Sequence, residues 1–143
     1  MSEVTYLPDV NVLLAAHRTT HVHHHPALAW LRAAQSFATC PTTEMGLVRL
    51  LANPTVNPGT SMTDALEALV RVRSRRQHTF WSDDTSLAAP LVSTSRMLGY
   101  KQVTDVHLVN LAARNGGVLV TFDTRVASAL TPKDQRHIHV LKT

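Results

Sequence analysis

The run Val118-Leu119-Val120-Thr121-Phe122 constrains the fold more than any other stretch of the chain. Its apolar and β-branched residues follow one another without polar alternation, which predicts a strand buried on both faces. Such strands belong to parallel sheets covered by helices on either side. The remaining sequence supplies the same alternation of short strands and helical segments. Strands are expected over 4–7, 38–40, 79–81, 118–122 and 138–141. Helices are expected over 11–16, 26–37, 44–52, 64–76, 87–97, 105–114 and 125–130. Pro26 suits a first helical turn, Thr43, Thr63 and Thr104 suit helix caps, and Asn115-Gly116-Gly117 suits a helix stop. Alternating elements of this kind give an α/β fold with a central, mainly parallel sheet.

The chain has 143 residues, enough for one domain with a real core, and residues 1–143 are read as a single domain. No apolar run reaches the roughly 18 residues of a membrane span. The N-terminal MSEVTYLPD carries an early acid and no basic-then-apolar pattern, so no signal peptide is expected. Cys40 stands alone, which excludes an internal disulfide and suits a cytoplasmic protein. The formal charge is +4, a modest excess that favours a polyanionic partner without requiring one.

The acids carry the chemistry. Asp9 falls just past the first strand and Asp123 just past 118–122, and ligands of open α/β sheets bind outside the carboxyl ends of strands. Asp105 and Glu44 each open a helix. In this architecture strand C-termini and helix N-termini share one edge, so the four can converge. Glu3, Asp64, Glu67, Asp83, Asp84 and Asp134 read as surface, capping or turn residues. Crowded carboxylates repel each other, and a hard divalent cation such as Mg²⁺ relieves that repulsion with oxygen ligands. A cation so held can acidify a water and offset charge on a scissile phosphate. No P-loop, serine triad or cysteine nucleophile offers a competing chemistry.

Four segments resemble the PIN domain in order and context: Leu7-Pro8-Asp9-Val10-Asn11-Val12-Leu13, Thr43-Glu44, Thr104-Asp105-Val106-His107-Leu108 and Val120-Thr121-Phe122-Asp123. Within that superfamily the chain looks like a VapC-type toxin of a toxin–antitoxin pair, over nearly its whole length. The resemblance implies a three-layer PIN-like fold and an endoribonuclease dependent on Mg²⁺ or Mn²⁺. It implies an acidic quartet of Asp9, Glu44, Asp105 and Asp123, with Asn11 and Thr121 as the small polar residues beside the first and last acids. It also implies an RNA substrate, a VapB-type antitoxin that covers the site, and a homodimer. The segment 53–98 matches only in general layout.

Each feature has a plainer reading. Asp9 could serve a turn, Asp105 a cap, and Glu44 the dipole of its helix, where acids are common without function. Asn11 and Thr121 could satisfy backbone groups. His17, His21, His23, His24 and His25 read as a solvated loop rather than a zinc site, since no cysteine or regular helical pair accompanies them. Arg71, Arg73, Arg75 and Arg76 fit a solvated helix end as well as an RNA-backbone contact. Trp30, Trp81 and Cys40 read as core. Two other functions stay open: a non-catalytic RNA-binding or interaction domain using Arg71–Arg76, and a phosphoryl-accepting regulatory domain. The second lacks a suitably placed lysine, because Lys101 precedes a helix and Lys133 and Lys142 lie elsewhere.

Overall fold

A computed structural model describes residues 4–143; Glu3, read above as a surface acid, lies outside them. The elements run β1 (Tyr6–Pro8), α1 (Val10–His17), α2 (His24–Ala33), β2 (Phe37–Thr39), α3 (Pro41–Ala52), α4 (Met62–Arg73) and β3 (His78–Phe80). A 3₁₀ turn (Tyr100–Gln102) then leads into α5 (Val103–Arg114), β4 (Val118–Thr121) and α6 (Thr124–Ser128). A second 3₁₀ segment (Pro132–His137) precedes β5 (Ile138–Val140). The five strands form one sheet in the order β3-β2-β1-β4-β5, and every described pairing is parallel. β1 lies at the centre, with Tyr6 opposite Phe37 on one side and Val118 on the other.

Helices cover both faces, as the unbroken apolar run of β4 requires. Successive side chains of a strand point to opposite faces. Leu119 therefore packs with Val106, Val109 and Leu130 around α5, while Val120 packs with Leu13, Leu47 and Val72 among α1, α3 and α4. Leu7 and Trp81 join the first cluster, Phe37 the second; Trp30 meets Tyr6 edge-on at 6.0 Å. Cys40 is fully buried and unpaired.

Several expected boundaries move, each for a local reason. The second helix starts at His24 and stops at Ala33, so Phe37 lies in β2. Pro26 still occupies the first turn, where its missing N–H is harmless. Ser61, not Thr63, caps α4, exchanging hydrogen bonds with Asp64 in a capping box. Cys40 rather than Thr43 precedes α3, and the Thr43 hydroxyl accepts from the Cys40 N–H at 3.1 Å. Thr104 falls inside α5. The helix expected over 87–97 is absent. There, buried Asn110 on α5 accepts from the Leu91 and Val92 N–H groups at 2.7 and 3.3 Å, and buried Asp134 accepts from Ser93 N–H at 2.8 Å. Side-chain acceptors take backbone donors that a helix would have used internally, and Pro90 has no N–H to give.

Candidate active site

Asp9 follows the last residue of β1, and its N–H donates to Val120 O at 2.9 Å, carrying the β1–β4 pairing one step further. With extended backbone angles it caps α1, its Oδ1 accepting from Val12 N–H at 3.0 Å. The residue is only 5% exposed. Burial pushes its carboxyl up to about 6; the negative charge of Asp105 adds to that, while Thr121 and the N–H groups of Val12 and Asn11 oppose it. Asn11 itself is exposed, and what it offers Asp9 is its backbone. Thr121 ends β4 fully buried, and its hydroxyl also accepts from Asp123 N–H at 3.0 Å.

Asp105 stands in the first turn of α5. Its carboxyl is likewise raised, first by burial and then by Asp123, with Arg125 pulling the other way. Asp123 caps α6 and is gripped by Arg125. Its Oδ1 accepts from the Arg125 N–H at 2.9 Å and Nε at 3.0 Å, and its Oδ2 from Nη2 at 3.0 Å. Those arginine hydrogen bonds hold the Asp123 carboxyl below its usual range. A cavity of about 300 Å³ opens here, lined by Lys101, Asp105, Asp123 and Arg125 above an apolar floor that includes Val106 and Val126.

The structure thus brings Asp9, Asp105 and Asp123 into one electrostatic neighbourhood. Glu44 is turned elsewhere. It opens α3 as expected, but its Oε2 accepts from the Thr39 hydroxyl at 2.6 Å and from Arg73 Nη1 at 2.7 Å. The Thr39 hydroxyl has one proton to give, so its 2.7 Å contact with His78 Nε2 is one in which histidine donates. The Arg73 guanidinium also lies 4.7 Å above the Phe80 ring. Among the described residues, no group of three or more histidine, cysteine or acidic side chains is arranged to hold a metal ion. The donor chemistry, oxygen atoms of mutually repelling carboxylates, nevertheless fits a hard divalent cation better than a soft one.

Residues 6–129 match the family model described as PIN domain. The chain belongs to the PIN domain family. It is 40% identical over 141 residues to Ribonuclease VapC38 of Mycobacterium tuberculosis, covering 94% of this chain and 96% of that one. It is 40% identical over 130 residues to Ribonuclease VapC39 of the same species, covering 88% and 94%. A solved structure, the crystal structure of VapBC2 from Rickettsia felis bound to a DNA fragment from their promoter, aligns with a TM-score of 0.57. It is 10% identical, covers 97% of this chain and 100% of that one, and speaks to the fold alone.

Other parts of this PIN domain escaped the sequence. Asp83, read as a surface or turn residue, ties two acid-bearing helices together: its Oδ2 accepts from Thr42 on α3 at 2.6 Å, and its Oδ1 meets His107 Nε2 on α5 at 2.5 Å. Asp134, read the same way, is buried. Gly46, two residues after Glu44, lets α3 lie against α1: a Cβ there would come within 2.6 Å of Val10 Cγ2. A glycine inside a helix is the signal that could have marked it, since helices disfavour glycine unless packing demands it. The histidines also have specific places. His17 and His24 each bond an α1 carbonyl at 2.8 Å, and His23 stacks on Phe122 at 4.8 Å.

Proposed function

We propose that this PIN domain is a divalent-metal-dependent endoribonuclease and the toxin of a toxin–antitoxin pair. One observation carries the reading: Asp9, buried at the carboxyl end of the central strand, has its carboxyl lifted to about 6 by burial and by Asp105, which in turn feels Asp123. A protein maintains such repulsion at a cost in stability, and a function that recruits a cation there accounts for it. The curated relatives at 40% identity over almost the full chain, named ribonucleases, support the activity.

On this reading Asp9, Asp105 and Asp123 hold Mg²⁺ or Mn²⁺, and Glu44 joins them on leaving Arg73. Thr121 keeps Asp9 and Asp123 in register through its hydroxyl, and Asn11 acts through its backbone on Asp9. The cation supplies Lewis acidity toward a water and a phosphodiester oxygen. The chain's own part is to position the carboxylates at the sheet edge and to keep Asp9 away from bulk water.

RNA incubated with the protein and Mn²⁺ should be cut, cutting should stop with chelator, and Asp9→Asn protein that still folds should lose at least a hundredfold in rate, on the order of 3 kcal/mol of transition-state stabilisation. Undiminished cutting by Asp9→Asn would remove these acids from the chemistry. A VapB-type antitoxin partner and a homodimer follow from the same family reading. The antitoxin should set a cation, an arginine, against the carboxylates, and a complex that leaves them all solvent-exposed would contradict this.

A further inference from the structure

The cavity beside Asp105 and Asp123 holds two cations as well as two acids: Lys101, from the turn that leads into α5, and Arg125, from α6. The Arg125 side chain is 86% exposed, yet it grips both oxygens of Asp123 in a planar fork, Nε and Nη2 each at 3.0 Å. An ion pair so open to solvent contributes little to folding. A guanidinium fork matches phosphate oxygens as well as it matches a carboxylate. RNA approaching Asp9, Asp105 and Asp123 meets concentrated negative charge, so a productive phosphodiester needs fixed cations beside it. With both of its oxygens engaged by Arg125, Asp123 keeps only its remaining lone pairs for a divalent cation, and the charge of the guanidinium repels that cation.

We propose that Arg125 and Lys101 form the binding site for an RNA phosphodiester, and that Arg125 trades Asp123 for a phosphate oxygen when Asp123 takes up its cation. The same arginine is then a plug in the cation-free protein and a clamp in the complex. This rests on the ribonuclease reading above.

The two roles have effects of opposite sign, which makes them separable. Calorimetric titration with Mn²⁺ alone, without RNA, should show Arg125→Ala binding several-fold more tightly than the unaltered chain, because a competing cation is gone. In cleavage assays the same variant should show KM raised roughly tenfold, the scale of one charge-assisted hydrogen-bonding partner. The slope of log(1/KM) against log salt should fall by about one for each lost phosphate contact. Lys101→Ala should lower the slope without tightening Mn²⁺. Arg125→Lys, which keeps the charge and loses the fork, should fall between, and it serves with the same readouts if Arg125→Ala does not fold. Unchanged KM and salt slope in Arg125→Ala, or weaker Mn²⁺ binding, would overturn the exchange while leaving the ribonuclease reading intact. Absence of both Mn²⁺ binding and RNA cutting in the unaltered protein would overturn the exchange and the ribonuclease reading together.

Discussion

Asp9 combines two tasks that conflict. As a cap, its carboxylate serves α1 through the Val12 N–H; as a buried anion beside Asp105, it resists ionisation. Its carboxyl titrates at about 6 in the folded chain against an ordinary value of 3.8. Between these values the folded state binds the extra proton, so metal-free stability falls as pH rises through the interval and stays reduced above it. The penalty at neutral pH is on the order of 2–3 kcal/mol. Asp9→Asn keeps an acceptor for Val12 and removes the charge. In chelator it should melt above the unaltered protein at pH 7.5, and the gap should close near pH 4. Thermal denaturation followed by circular dichroism at the two pH values checks this, and a gap that persists at pH 4 would deny the burial origin. With Mn²⁺ present the gap at pH 7.5 should close, because the intact aspartate gains from cation binding about 2.7 kcal/mol at a hundredfold excess over Kd, an amount that matches the burial penalty.

At the scale of elements, the sequence revealed the alternation and missed the adjustments. β4 and the ends of β1 and β4 were legible because a buried parallel strand has no polar face to disguise it. So were three of the four acids as neighbours, since sheet topology alone puts them at one edge. The turning of Glu44 toward Arg73 and Thr39 was not legible, because it depends on how α3, α4 and β3 meet far apart in sequence. The segment 87–97 was misread for the same reason: its apolar residues look helical locally, and only the partners Asn110 and Asp134 decide against it. Asn110→Ala should therefore cost about 2–4 kcal/mol, from two stranded N–H donors and a cavity, and make this segment the first to be nicked in limited proteolysis. Gly46→Ala tests the other contact. Its methyl would press on Val10 at 2.6 Å, moving α3 and Glu44 away from α1 and Asp9. A loss of about 1–3 kcal/mol in chemical denaturation is expected, with a larger loss in RNA cutting than stability accounts for. Unaltered stability would mean the helices slide apart freely.

The whole molecule is held by pairings between distant segments. β1 sits between β2 and β4, and β4 contributes Leu119 to one core and Val120 to the other. A chain ending at Arg114 keeps the seven described helices and strands before α5 yet loses the strand that joins both cores. It should show no cooperative unfolding transition and little protection from hydrogen exchange, even in β1. Native-like protection in such a fragment would show that the α1–α4 layer folds alone.

The pairing of Pro8 with Val120 has a temporal side. A ribosome releases a chain from its amino end, so Asp9 emerges more than a hundred residues ahead of Asp123. Nascent chains, and products of premature stop codons upstream of β4, carry the first acid without Asp123 and without the strand that sets it beside the others. Any activity that needs those carboxylates together is therefore withheld until the segment carrying Asp123 has left the ribosome and β4 has docked on β1.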